Sequence, residues 1–304
     1  MYPRPDFVVG LGCLCDSAGK SGEVIAEKLG LPFFMIDISG GFSLSKEGEL
    51  KISEESVRYF AYQYNEMIEF LEQQTGEQLD MNRLKDVYCM TNEALELWSD
   101  ISELKKAIPC PSGAMDEVVS LFVPMALTGT PEATHFLQKV RNEMQERVNK
   151  GRGVIDEEKH RLLLVGGPAW WYDIGLFNYF EDFGGVLVKA DLDIGWAGGR
   201  LDPDHPAESW ARRMIHNFAY LDYLPLRINY IKKLIDEYKI DGLVILSHWG
   251  CRVLGGQNLA VKDIIHRDLG IPSLILDGDL CDERHRASRE QDLDRIEEFM
   301  EMLD

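Results

Sequence analysis

Cys251 sits in the stretch Ile245-Leu-Ser-His-Trp-Gly-Cys, directly after an apolar run, and Cys13 and Cys15 follow a second such run, Phe7-Val-Val-Gly. Runs of this kind read as buried strands, and the loops leaving the carboxyl ends of strands in an open α/β sheet are where ligands bind. Thiols placed twice at that edge point to a metal centre. An iron–sulfur cluster is the best candidate, because a zinc site would favour paired C-x-x-C or a histidine in phase, and the sequence has neither. Gly250 before Cys251 would let the backbone approach a bulky cofactor and offer an unhindered N–H to sulfide. The plainer alternative is that buried cysteines act as small hydrophobes; on pattern alone both readings stay open.

His248 and Arg252 flank Cys251, where they can orient a carbonyl or phosphate, or simply cap and bond the sheet edge. Trp170, Trp171 and Trp196 lie in glycine-rich loops near the same edge and suit the wall of a ligand pocket or a partner contact. Cys89 in a helical block, Cys110 between two prolines, and Cys281 after a third strand are expected to be structural. The loop Gly10-Leu-Gly-Cys-Leu-Cys-Asp-Ser-Ala-Gly-Lys-Ser fails as a P-loop, because Leu14 stands where the motif needs glycine five positions before Gly19. A helix start between Gly19 and Gly22 is still expected to present free N–H groups to an anion.

The elements that must position these residues are legible as alternating strands and helices. Phe7 to Gly12, Gly22 to Leu29 and Pro32 to Ile38 read as strand, helix, strand. Residues 54–108 carry apolar side chains at helical spacing, Pro109-Cys-Pro-Ser-Gly breaks the pattern, and Met115 to Val148 resumes it around a Thr128-Gly-Thr-Pro turn. Strands then follow at Arg161-Leu-Leu-Leu-Val-Gly and Gly185-Val-Leu-Val-Lys-Ala. An irregular stretch with Trp196, Gly198, Gly199, Pro203 and Pro206 leads on to a helix from Leu226 to Tyr238. A strand from Asp241 to Ser247, a helix from Asn258 to Leu269, a strand from Ser273 to Asp277 and a charged terminal helix complete the chain. Leu29-Gly-Leu-Pro and Leu269-Gly-Ile-Pro each precede a strand, an echo that suggests two similarly wound domains. The expected fold class is α/β: two Rossmann-like (flavodoxin-like) parallel-sheet domains with a helical middle segment, divided at 1–53, 54–155 and 156–304.

A length of 304 residues suits roughly two α/β units. The net charge of −20 argues against broad contact with nucleic acid or anionic lipid, both of which call for clustered Lys and Arg. No apolar run approaches a membrane span and the start Met1-Tyr-Pro-Arg-Pro lacks a signal-peptide core, so a cytoplasmic location is expected. Six cysteines are too few for a disulfide scaffold and would stay reduced there.

The string Asp241-Gly-Leu-Val-Ile-Leu-Ser-His-Trp-Gly-Cys-Arg, then Gly270-Ile-Pro-Ser-Leu-Ile-Leu-Asp-Gly-Asp, then Asp282-Glu-Arg with Gln291, Arg295 and Phe299, resembles the closing signature of one family. It is that of the 2-hydroxyacyl-CoA dehydratase and benzoyl-CoA reductase subunits, which includes the 2-hydroxyglutaryl-CoA dehydratase D-component. Pro5-Asp-Phe-Val-Val-Gly, Cys15-Asp16, Lys20 and Gly30-Leu-Pro agree with its beginning. The resemblance implies a [4Fe-4S] cluster between two α/β domains, with Cys15 and Cys251 as ligands. It also implies a related second subunit, an acyl-CoA substrate, and a separate activator protein that hydrolyses ATP to deliver one electron, so that ATP is bound there and not on this chain. Family members usually carry a further cluster cysteine on an N-terminal segment, whereas this sequence begins almost at the first strand. Cys13, a water or a substrate oxygen is the expected occupant of that third position. Asp16, Lys20, His248 and Arg252 are expected around the cluster or on the substrate, with Lys20 or the helix start near Ser21 meeting a CoA phosphate. Two other functions compete with catalysis: a non-catalytic electron-relay or scaffold subunit, and a cluster-free α/β binding protein.

Overall fold

The computed structural model describes residues 3–12, 16–37, 41–46, 48–166, 174–279 and 288–304. The first unit pairs β1 (Val8–Gly12) in parallel with β2 (Phe33–Asp37) through α1 (Asp16–Leu29), and a short antiparallel hairpin, β3 (Phe42–Leu44) and β4 (Leu50–Ile52), follows. Four helices come next: α2 (Glu54–Thr75), α3 (Met81–Leu104), α4 (Ala114–Ala126) and α5 (Pro131–Asn149). Their ends follow local chemistry. Gly76 closes α2 in the left-handed region at φ 75°, and the Asp80 carboxylate accepts from the Asn82 and Arg83 amides to open α3.

The second unit is built on β5 (His160–Gly166), a short α6 (Tyr179–Asp182), β6 (Gly185–Ala190) and a short α7 (Ile194–Ala197). It continues with α8 (Pro206–Asp222), α9 (Leu224–Tyr238), β7 (Gly242–His248), α10 (Arg252–Leu269), β8 (Ser273–Gly278) and α11 (Arg289–Leu303). Its four strands are all parallel, in the order β6-β5-β7-β8. Both faces of this sheet are covered, which is why its strands read as nearly unbroken apolar runs. Leu163, Val165, Val188 and Ile245 pack under α9 and α10. Leu162, Leu187, Val244 and Leu276 pack under α6 and α11 on the other face. Each such side chain withdrawn from water stabilises the fold by ~1.5–3 kcal/mol before entropy is counted.

The paired Leu-Gly-x-Pro phrases do the same work in both units. Gly30 and Gly270 end α1 and α10 at φ 63° and 73°, and the strand follows at once. Of the elements that differ from expectation, three bear on the site or its support. The α8 helix occupies residues that the sequence leaves unassigned, because Pro206 stands at its first turn, where a missing N–H costs nothing. The α10 helix begins at Arg252, not Asn258. The α1 helix begins at Asp16, not Gly22, so Gly19 to Ser21 lie within the helix and the helix start expected at Gly19–Gly22 is not there.

Candidate metal centre

The β5–α6–β6 connection runs over one face of the sheet, whereas the β7–α10–β8 connection runs over the other. The chain therefore diverges in opposite directions from the adjacent strands β5 and β7, and their carboxyl ends border the crevice where doubly wound sheets bind ligands. Cys251 stands at this edge. The turn His248-Trp-Gly-Cys is closed by the Cys251 amide donating to the His248 carbonyl at 3.0 Å, and the Cys251 carbonyl then accepts the first helical bond, from Gly255, at 3.0 Å. Cys251 is thus the N-cap of α10, at the positive end of the helix dipole, a setting that suits an anionic ligand atom. Its half-buried side chain packs against Leu192, Leu221 and Leu254.

Two glycines make this corner possible. A Cβ on Gly250 would lie 2.7 Å from the His248 imidazole, and one on Gly255 would lie 2.9 Å from the His248 carbonyl oxygen. The His248 Nδ1 lies 3.4 Å from the Gly278 carbonyl at the end of β8, and the Trp249 amide donates to the same carbonyl at 3.1 Å. The corner is therefore tied to the neighbouring strand. Trp249 itself is 61% exposed and Arg252 is exposed on the first residue of α10.

Cys13 and Cys15 lie outside the described residues, as do Cys281, Trp170 and Trp171; residues 13–15 join the end of β1 to the start of α1. That corner repeats the strand, cysteine, helix order of β7 and α10. Asp16 opens α1, and Lys20 is exposed one turn further on. The structure brings His248, Cys251 and Arg252 into one turn, while Asp16 and Lys20 belong to the other corner. Among the described residues no three His, Cys, Asp or Glu side chains converge to hold a metal ion. The soft sulfur of Cys251, set against the apolar cluster of Leu192, Leu221 and Leu254, is chemically suited to iron. The other described thiols do not fit: Cys89 is exposed on α3, and Cys110 is buried and donates to the Ser112 carbonyl.

Three buried polar residues beside this edge are missed by a reading of the sequence. Asp191, directly after β6, accepts from the Gly166 amide at 2.9 Å and pairs with Arg227 of α9 at 3.0 Å. Burial raises the Asp191 carboxyl above its ordinary range, against the pull of Arg227 and the Gly166 amide. Asn258 of α10 donates to the Leu246 carbonyl of β7 at 3.2 Å. The available signals were an aspartate at a strand end and an asparagine seven residues after Cys251, on the same helix face.

Comparison with known proteins places the chain. A family model described as 2-hydroxyglutaryl-CoA dehydratase, D-component, matches residues 1–303. The chain is 25% identical to the (R)-phenyllactyl-CoA dehydratase alpha subunit of Clostridium sporogenes over 302 residues, which covers 99% of this chain and 71% of that protein. It is 27% identical to a benzoyl-CoA reductase subunit of Thauera aromatica, again over 99% of this chain and 71% of the relative. The (R)-2-hydroxyglutaryl-CoA dehydratase alpha subunit of Acidaminococcus fermentans is 24% identical, over 99% of this chain and 62% of that protein. The chain belongs to the 2-hydroxyglutaryl-CoA dehydratase D-component family.

Proposed function

We propose that this chain is a subunit of an acyl-CoA dehydratase or of a benzoyl-CoA reductase-type enzyme, and that Cys251 holds one corner of a [4Fe-4S] cluster, with Cys15 as a second ligand and Cys13 at the third position. The observation that carries the reading is the place of Cys251: a half-buried thiol capping α10 at the carboxyl edge where β5 and β7 diverge, in a chain matched to this family from end to end. When bound, the cluster would supply one-electron transfer and, at an iron lacking a protein ligand, Lewis acidity toward a substrate oxygen.

The chain's own residues would do the rest. Leu192, Leu221 and Leu254 keep water from one side of the Cys251 sulfur. The His248 imidazole stands at the end of β7 beside the Cys251 turn, where it can orient a substrate carbonyl or phosphate. Arg252 and Lys20, one on the opening residue of α10 and one on α1, offer cationic charge to the phosphates of an acyl-CoA. The names of the dehydratase relatives, each an alpha subunit, support a second subunit. A separate ATP-hydrolysing activator completes the proposed assembly.

The test is a reconstitution under anaerobic conditions with the second subunit, the activator and ATP. It offers a 2-hydroxyacyl-CoA and an aromatic acyl-CoA in parallel. The reading expects turnover of one class by the wild type and a loss of at least roughly a thousandfold in Cys251→Ala. Unimpaired turnover by the variant would overturn it.

A further inference from the structure

Asp191, Arg227 and Asn258 are 0%, 0% and 2% exposed. A buried ion pair is weak support for stability, since apolar residues of similar size often serve better. What these three touch points to another role. Asp191 Oδ1 holds the amide of Gly166, the last residue of β5, while Arg227 grips Asp191 Oδ2 through Nε at 3.1 Å and Nη2 at 3.0 Å. Asn258 holds the carbonyl of Leu246, the β7 residue in register with Gly166. The two strand ends come together here so closely that a Cβ on Gly166, at φ 99°, would lie 2.5 Å from the Leu246 oxygen and 3.6 Å from Asn258 Oδ1. Asn258 also lies two turns after Cys251 on the same face of α10, so its anchor fixes the helix whose N-cap is the cysteine. Arg227 Nη1 and Asn258 Oδ1 are buried with no hydrogen-bond partner among the described residues.

We propose that Asp191, Arg227 and Asn258 are positioning residues, which clamp the carboxyl ends of β5 and β7 together and hold the Cys251 turn over the crevice. The inference rests on reading this corner as the working site. Amide hydrogen exchange on the full chain, read by mass spectrometry, tests the clamp without reference to iron. Asn258→Ala should speed exchange roughly tenfold at the Cys251 and Gly255 amides, which donate to the His248 and Cys251 carbonyls, and Arg227→Lys should do the same at the Gly166 amide at the end of β5. Val261→Ala, in the same helix and fully buried, is the control: it should lower Tm and leave the Cys251 turn unchanged. Equal acceleration by Asn258→Ala and Val261→Ala, or none from either clamp variant, would overturn the proposal. Should Asn258→Ala not fold, Asn258→Ser and Arg227→Lys carry the test. A changed EPR signature of the anaerobic chain in Asn258→Ala would extend the clamp to the cluster. A chain without iron that still shows the exchange effect would sink the cluster reading and leave the clamp intact.

Discussion

Cys110 and Cys251 carry the same functional group and are set apart by their surroundings. Cys110 is fully buried and donates to the Ser112 carbonyl at 3.1 Å; burial pushes its thiol from 9.0 up to about 11. The fold thus favours the neutral thiol. That stabilisation is fully present below the ordinary thiol value and is lost as pH rises through about 11. Native protein treated with iodoacetamide near pH 8 should therefore be modified at exposed Cys89 and spared at Cys110, as mass mapping would show; prompt labelling of Cys110 would contradict this. At this scale Cys251, His248 and Arg252 are legible in the sequence because they adjoin an apolar run. Asp191, Arg227 and Asn258 are not, since a single polar residue inside an apolar segment looks like an exposed exception until its partners are seen.

The start of α10 shows why element boundaries are harder to read than element types. Gly255 and Gly256 have low helix propensity, which moves the expected start to Asn258. In the fold Gly255 is required, because the first turn of the helix passes against the His248 carbonyl. Gly255→Ala places a methyl 2.9 Å from that oxygen, and the backbone must shift to admit it. The expected loss is ~1–3 kcal/mol by denaturant titration, with the Cys251 turn displaced, even though alanine is the better helix former. A gain in stability would show that the close approach does not govern this turn. Strands β5 to β8 are legible because both their faces are buried, whereas the three-residue strands of the β3–β4 hairpin are too short to show a period. The α8 helix is hidden by prolines that read as breakers. Pro206 in fact begins it, and Ala207, Ala211 and Ile215 then recur at helical spacing to face Val57 and Phe60 of α2.

That α8 contact matters for the whole molecule. By sequence α8 lies between two strands of the second sheet, yet it shares one core with β2 and α2 of the first unit and reaches back to α9 and α10. The ring of Phe42 on β3 also meets Tyr223 at the α8–α9 junction, with centroids 5.7 Å apart. The two strand–cysteine–helix corners are thereby carried on one packed framework, which is what a cofactor shared between them would need. The Leu-Gly-x-Pro phrases that end α1 and α10 ahead of β2 and β8 agree with such a framework. We propose that Cys251 ligates an iron–sulfur cluster. The most direct measurement is the iron and acid-labile sulfide content of anaerobically purified chain, compared between the wild type and Cys251→Ala, with Cys89→Ala as control. The claim predicts that Cys251→Ala loses most of its iron, sulfide and visible absorbance while Cys89→Ala keeps them. Unchanged metal content in Cys251→Ala would contradict it.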